Sequence, residues 1–241
     1  MYKNNSILSF IGARSGSKSI KNKNIIDFAG KPLIHWTIEP SVHSKYIDRT
    51  IVSTDSEEIA KVARQANADT PFIRPSEFSQ DRSSINDAIL HCINWLEVNE
   101  KKIYDYIILL MPTSPFRTSQ FIDSSIEKYF AEKVHDTDTL VSVKQLPLNY
   151  GWIMHDSNNG YIEFCFPESL KIINRQEHKP LYLPSGIFYI SSVSGFKKQI
   201  SFYGSHTRYI ITNEFESTDI DTPEDYKEAL ELYKQKQLHS H

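Results

Sequence analysis

Two charged clusters at opposite ends of the chain carry the residue types that phosphate chemistry needs. The first is FIGARSGSKSIKNKN (Phe10–Asn24), where Arg14, Lys18, Lys21 and Lys23 fall within ten residues and follow an apolar run. A strand, a turn and a basic loop can hold phosphate through backbone N–H groups and lysine charge. The same residues also suit a solvated basic turn. Two common phosphate loops are excluded. The Walker loop needs four residues between its glycines and then Gly-Lys-Ser/Thr, whereas three residues separate Gly12 from Gly16, and Ser17-Lys18-Ser19 follows. The dinucleotide pattern GxGxxG is absent.

The second cluster is STDIDTPED (Ser217–Asp225). Asp219 and Asp221 stand two apart, so on an extended backbone both carboxylates face one side. Like charges that close repel unless a cation lies between them. Hard oxygen ligands suit Mg²⁺, which keeps several waters and completes its shell with substrate phosphate. The competing reading is local capping, with Asp221 and Asp225 satisfying the start of a helix. Together the clusters could hold a polyphosphate and its metal, which is the equipment of nucleotidyl transfer.

The elements that must position them alternate. Ser6–Gly12 reads as a buried strand, Pro32–Ser44 as a helix and Ile47–Ser53 as a strand. Asp55, with Glu58 three residues on, predicts a capped helix to about Asn67. Phe72–Ile73 suggests a short strand, and Ser83–Asn99 has helical spacing. Tyr106–Met111 is continuously apolar, as in an inner parallel strand. Pro112–Ser119 reads as loop, Gln120–Phe130 as helix, and Thr139–Val143 and Gly186–Ser191 as strands. Thr222–Lys236 reads as a closing helix capped by Thr222, with Pro223 in its first turn. This order predicts an α/β fold with a mostly parallel sheet and right-handed crossovers, its ligands at the edge where the strands end.

Residues 144–184 break the rhythm, with Pro147, Pro167, Pro180 and Pro184, scattered aromatics and no clean helix. The stretch is too long for an ordinary connection. It reads as an excursion from a single domain spanning residues 1–241, forming an active-site wall, a subunit interface or both. Its aromatics suit an interface.

At 241 residues the chain can bury a substantial core, and a formal charge of −3 gives no reason to expect a nucleic-acid or membrane partner. Cys92 and Cys165 make no disulfide framework and both read as buried, which fits a reduced, cytoplasmic protein. No apolar stretch is long enough to span a bilayer, and Met1–Asn5 lacks the features of a secretion signal. The terminal His-Ser-His is assigned no role.

The sequence closely resembles the cytidylyltransferases that activate sialic acid and related nine-carbon 2-keto acids. The resemblance rests on ARSGSKSIKNKN, GKPLIHWTI, IVSTDSEEIA, FIRPSEFSQDRSS, PTSPFR and DIDTPEDY, in that order and over nearly the whole chain. It implies a three-layer Rossmann-like sandwich, a homodimer, Mg²⁺ dependence, and formation of a CMP-sugar and pyrophosphate from CTP. By that likeness Arg14, Ser17 and Lys23 contact the CTP phosphates, with Lys18 in the same loop. Asn24 and Arg74 face the nucleoside, and Ser84 approaches the ribose. Asp219 and Asp221 carry Mg²⁺ and, with Arg14 and Lys23, form the catalytic set. Arg175 lies near the acidic sugar, and Pro184–Ile190, including Ser185 and Gly186, matches a sugar-contacting stretch.

The pattern departs from the family at the acceptor side. Met111 stands where the family has Gln, and Ser185 where it has Asn. A lysine that sialic acid enzymes carry near residue 149 has no counterpart in LPLNYGW. Replacing amides by a thioether and a hydroxyl changes the hydrogen-bond inventory of the pocket. The nucleotide half matches, and the acceptor is a sialic, legionaminic, pseudaminic or other acidic nonulosonate. The alternatives are transfer to another keto sugar acid, including an eight-carbon one, and a non-catalytic nucleotide-binding protein.

Overall fold

Strand β1 (Ile7–Gly12) is buried along nearly its whole length and lies between β4 (Arg49–Ser53) and β5 (Tyr106–Leu110), parallel to both. Burial on both faces accounts for its unbroken apolar run. The computed structural model describes residues 1–158 and 160–238, without the side chain of Arg175. The terminal His-Ser-His therefore lies outside the described residues.

A hairpin of β2 (Asp27–Phe28) and β3 (Lys31–Pro32) precedes α1 (His35–Val42). Its two-residue turn places Ala29 at φ 52° and Gly30 at φ 91°, the left-handed pair that closes tight hairpins. Pro32 therefore belongs to a ribbon, and the helix starts later than its apolar spacing suggests. After β4 comes α2 (Glu57–Gln65), and its cap is Ser56, whose hydroxyl accepts from the Ile59 N–H. Asp55 is released from the capping role expected of it. Phe72 and Ile73 form no strand; the Phe72 ring packs on His91 and Trp95 instead.

Helix α3 (Ile85–Trp95) leads through a π-turn into β5, and α4 (Ser119–Glu132) leads into β6 (Thr139–Gln145). A two-stranded ribbon, β7 (Met154–Asp156) with β8 (Ile162–Phe164), precedes β9 (Tyr182–Ser192). Helix α5 (Val193–Gln199), β10 (Thr207–Ile211) and α6 (Pro223–Leu238) complete the described chain. The main sheet has the order β10-β6-β9-β5-β1-β4. Only β9 runs against its neighbours, pairing antiparallel with β5 and β6, so the sheet is mostly parallel as expected.

Two cores flank the sheet and make three layers. On one face Ile7, Ile11 and Leu110 pack with Ile38 of α1, Ala63 of α2 and Ile126 of α4. On the other, Leu8, Phe10 and Leu109 pack with Ile89 and Cys92 of α3 and Phe196 of α5. A third cluster, around Phe28, Phe116, Ile220 and Ala229, seats α6 on the β2–β3 ribbon.

The excursion is shorter than its composition suggests. Gln145 pairs with Tyr182 and Val143 with Pro184, so the chain leaves the sheet only between residues 146 and 181. Cys165, read as buried, is exposed there, because the β7–β8 ribbon has little packed against it. A small knot holds the base of the excursion. The His178 ring lies edge-on to Trp152 at 4.6 Å, and Ser169 donates to the Gly151 carbonyl at 2.6 Å. A Cβ on Gly151 would sit 2.1 Å from His178 Nδ1. Gly151→Ala is therefore expected to loosen this segment by about 1–3 kcal/mol while sparing the main sheet. Limited proteolysis should cut between residues 146 and 181 several-fold faster than in the wild type; an unchanged cutting rate would remove the knot from the account.

Candidate active site

β1, β4 and β5 end side by side, with Gly12 opposite Ser53 and Met111 just beyond Leu110. The loops that leave these ends form a cleft of about 330 Å³. Arg14, Ser17, Lys18, Lys23 and Asn24 line one side, and Asp219 and Asp221 line the other. Met111, Pro112 and Thr113 lie between them. The two clusters, some 200 residues apart in the chain, thus face each other.

The basic loop is braced from beneath. Asp55 accepts from the Ser15 N–H at 2.8 Å and from its hydroxyl at 2.9 Å. The Asn24 side-chain amide N–H donates to the Arg14 carbonyl at 2.9 Å, and the Asn24 backbone carbonyl accepts from the Ile34 N–H at 2.8 Å. Asn24 is buried, so within the described residues it ties the two ends of the loop together. Fixing the backbone of the loop in this way holds its cations at the cleft.

Lys23 is only 14 % exposed and meets Asp221 at 2.6 Å, while Asp221 itself is 67 % exposed. Asp221 is therefore not a helix cap. That role falls to Thr222 and Asp225: the Thr222 N–H donates to Asp225 at 2.7 Å, and the Asp225 N–H donates back to the Thr222 hydroxyl at 3.2 Å. Asp219 lines the cleft and is exposed on that side, while protein packs closely around the rest of its carboxylate. That desolvation raises its pKa above the ordinary aspartate value, against the Thr113 hydrogen bond, and Asp221 beside it adds repulsion. Two neighbouring carboxylates lining a phosphate-sized cleft fit the needs of Mg²⁺, which takes one or two protein carboxylates and fills its shell with water and phosphate.

Arg74, Ser84, Ser185 and Gly186 are not among the residues that line this cleft. Arg74 is buried and donates to the Ser53 carbonyl, and at 3.4 Å to that of Phe78. Burial lowers its pKa. Ser84 caps α3 by accepting from the Asn86 N–H. Gly186, at φ 74°, lies against Met111: a Cβ there would meet Met111 Cγ at 3.7 Å. The Ser185 hydroxyl is buried beside it and has no hydrogen-bond partner among the described residues. The Arg175 side chain lies outside the described residues.

Three residues with clear duties were not singled out from the sequence, although all fall inside the quoted motifs. Thr113 lines the cleft with Asp219 and accepts the Ile220 N–H on its carbonyl at 3.0 Å. Asp81 pairs with Arg14 and Lys18. Arg117, 3 % exposed, reaches three acceptors, one on β9, one on α1 and one just beyond β5.

A family model described as cytidylyltransferase matches residues 8–241. The pseudaminic acid cytidylyltransferase of Campylobacter jejuni is 30 % identical over 227 residues, covering 94 % of this chain and 96 % of its own. The CMP-N,N'-diacetyllegionaminic acid synthase of Legionella pneumophila is 33 % identical over 224 residues, covering 91 % and 93 %. The N-acylneuraminate cytidylyltransferase of Streptococcus agalactiae is 33 % identical over 220 residues, which is 90 % of this chain and 50 % of that longer protein. Among solved structures, a CMP:2-keto-3-deoxy-manno-octonic acid synthetase complexed with CTP superposes with a TM-score of 0.70 at 14 % identity, covering 96 % of this chain and 99 % of that one. That likeness concerns the fold alone. The matched length and the identity of the relatives place this chain in the cytidylyltransferase family.

Proposed function

We propose that this protein transfers CMP from CTP to the anomeric hydroxyl of a nine-carbon 2-keto sugar acid and releases pyrophosphate. The observation that carries the reading is the meeting, in one cleft, of a braced cationic loop with the Asp219–Asp221 pair. The hydroxyl oxygen attacks the α-phosphorus, the bond from that phosphorus to the β-phosphate oxygen breaks, and the hydroxyl proton leaves to solvent or a nearby base. Arg14, Ser17, Lys18 and Lys23 bind and orient the triphosphate and offset the negative charge that moves onto pyrophosphate. Asp219 and Asp221 would hold Mg²⁺, which when bound screens phosphate charge and polarises the phosphoryl oxygens. Lys23, now paired with Asp221, would turn to phosphate as the metal takes that carboxylate.

The acceptor lies on the Met111, Ser185 and Gly186 side. The relatives named for pseudaminic and legionaminic acids make those two nonulosonates the first acceptors to test. The reaction is assigned to the cytoplasm; among the described residues no helix is long and apolar enough to cross a membrane. A homodimer joined through the excursion is part of the same reading. Its support is the apolar surface there, with Tyr161 72 % and Ile173 86 % exposed. Sedimentation at several concentrations tests it, and a monomer throughout would remove that element.

The decisive experiment is pyrophosphate release from CTP and Mg²⁺ with sialic, legionaminic, pseudaminic and eight-carbon keto acids. Release with a nine-carbon acid is expected. Release with the eight-carbon acid alone would reassign the acceptor, and CTP binding without release from any acid would favour a non-catalytic nucleotide binder.

Asp219→Asn separates a metal ligand from a structural brace. Because its folded pKa is raised, the ionised carboxylate costs stability at neutral pH, and that cost is relieved as pH falls through the folded pKa. Asparagine keeps the shape and the Thr113 contact and removes the charge. Turnover should fall at least tenfold while the melting temperature holds or rises. A lower melting temperature would make Asp219 a brace.

A further inference from the structure

The cations of the cleft already have a partner. Asp81 places Oδ1 3.0 Å from Arg14 Nη1 and Oδ2 2.6 Å from Lys18 Nζ. It splits its two oxygens over two cations, as the oxygens of a phosphate would. The Gln80 carbonyl accepts from the same Arg14 nitrogen at 3.3 Å. The turn that presents Asp81 is closed on itself: Ser83 donates to the Glu77 carbonyl at 2.8 Å and accepts from the Gln80 N–H at 3.0 Å. The two cations hold the Asp81 carboxyl below the usual aspartate range, so its charge is present at neutral pH.

We infer that Asp81 is a built-in counter-ion of the phosphate cleft: it yields Arg14 and Lys18 to the incoming triphosphate and reclaims them as pyrophosphate leaves. The inference rests on the function proposed above. Its physical basis is the exposure of the pairs. Asp81 is half exposed and Lys18 three-quarters exposed, and exposed ion pairs are weak, so a polyanion can displace the carboxylate. The same exchange lowers the affinity of the site for the departing product. Asp81 thus sets how tightly polyphosphate is held without itself touching the reacting atoms.

The test is pyrophosphate binding by calorimetry at low ionic strength, with the intact protein and three variants. Asp81→Asn should bind pyrophosphate about 3- to 10-fold more tightly than the wild type. The gain should shrink as salt is added. Asp81→Glu, which restores the charge, should return the affinity toward the wild-type value. Asp87→Asn, an exposed charge in the first turn of α3, controls for net charge and should leave binding unchanged. Equal tightening in Asp81→Asn and Asp87→Asn would overturn the inference in favour of a general charge effect. Unchanged or weaker binding in a folded Asp81→Asn would overturn it in favour of a brace for Arg14. A wild type that binds neither pyrophosphate nor CTP would sink the proposed function, and the counter-ion with it.

Discussion

Arg14→Ala is expected to lower kcat/KM for CTP about 100- to 1,000-fold, the range for losing one preorganised charged donor aimed at developing charge. Arg14 sits on the loop that leaves β1, and its backbone carbonyl is held by Asn24. Its position at the cleft is therefore fixed by the fold, while its side chain is about one-third exposed and pairs with the half-exposed Asp81. Truncation should leave the melting temperature within about 1–2 °C, since an exposed ion pair contributes at most about 1 kcal/mol. Arg14→Lys would keep the charge and lose the forked donor geometry, so its loss should be intermediate. The informative measurement is the split between KM and kcat. If charge develops mainly on the leaving group, kcat falls along with kcat/KM. If only KM rises, Arg14 serves ground-state binding. Unchanged turnover with CTP would take Arg14 out of the site.

The parts of the fold legible in the sequence are those where burial is two-sided. β1 and β5 must be apolar at almost every position because helices cover both faces, and no other element of that length reads so. β10, by contrast, is an edge strand whose residues Thr207–Ile211 are mostly half-exposed, so TRYII carries neither an apolar run nor a clean alternation. α5 has only seven residues, too few for helical periodicity to show. Asp55 illustrates a local rule overridden by a distant partner. The neighbouring Ser56 can cap α2, and Asp55 then serves Ser15, forty residues earlier.

The site divides in the same way. The basic loop and the Asp219–Asp221 pair announce themselves by composition and spacing. The pairing of Asp81 with Arg14 and Lys18 depends on how the turn before α3 folds back over the loop after β1, and no spacing rule reports that. The aromatic excursion misled on burial for a related reason. Aromatic side chains mark surfaces that will be covered, but they do not say whether the cover is the same chain. Here Tyr161 and Cys165 remain exposed on the isolated chain.

Arg117→Met is expected to destabilise the protein by about 3–5 kcal/mol, because it removes the donor from three buried or partly buried acceptors at once. Arg117 donates from Nε to the Ile187 carbonyl of β9 at 2.7 Å, from Nη1 to the Thr37 hydroxyl of α1 at 3.1 Å, and from Nη2 to the Met111 carbonyl after β5 at 3.2 Å. The Thr37 hydroxyl in turn donates to Met111 O at 3.1 Å, which closes the network. Burial draws the Arg117 pKa down to about 9, with the Asp219 carboxylate partly offsetting the shift, so the side chain is still a cation at neutral pH. Methionine has similar length and no donor, so the loss would be of hydrogen bonds rather than of volume. For a chain of this size the melting temperature should fall by roughly 10 °C or more. Arg117→Lys would retain the charge but not the planar fork, and should recover less than half of the loss. Because Met111 and Ile187 flank Ser185 and Gly186, the lysine variant should also raise KM for the sugar acid more than KM for CTP. A variant as stable as the wild type would show that water or a shifted backbone satisfies those three acceptors. Equal changes in both KM values would show that Arg117 supports the whole cleft rather than its acceptor side.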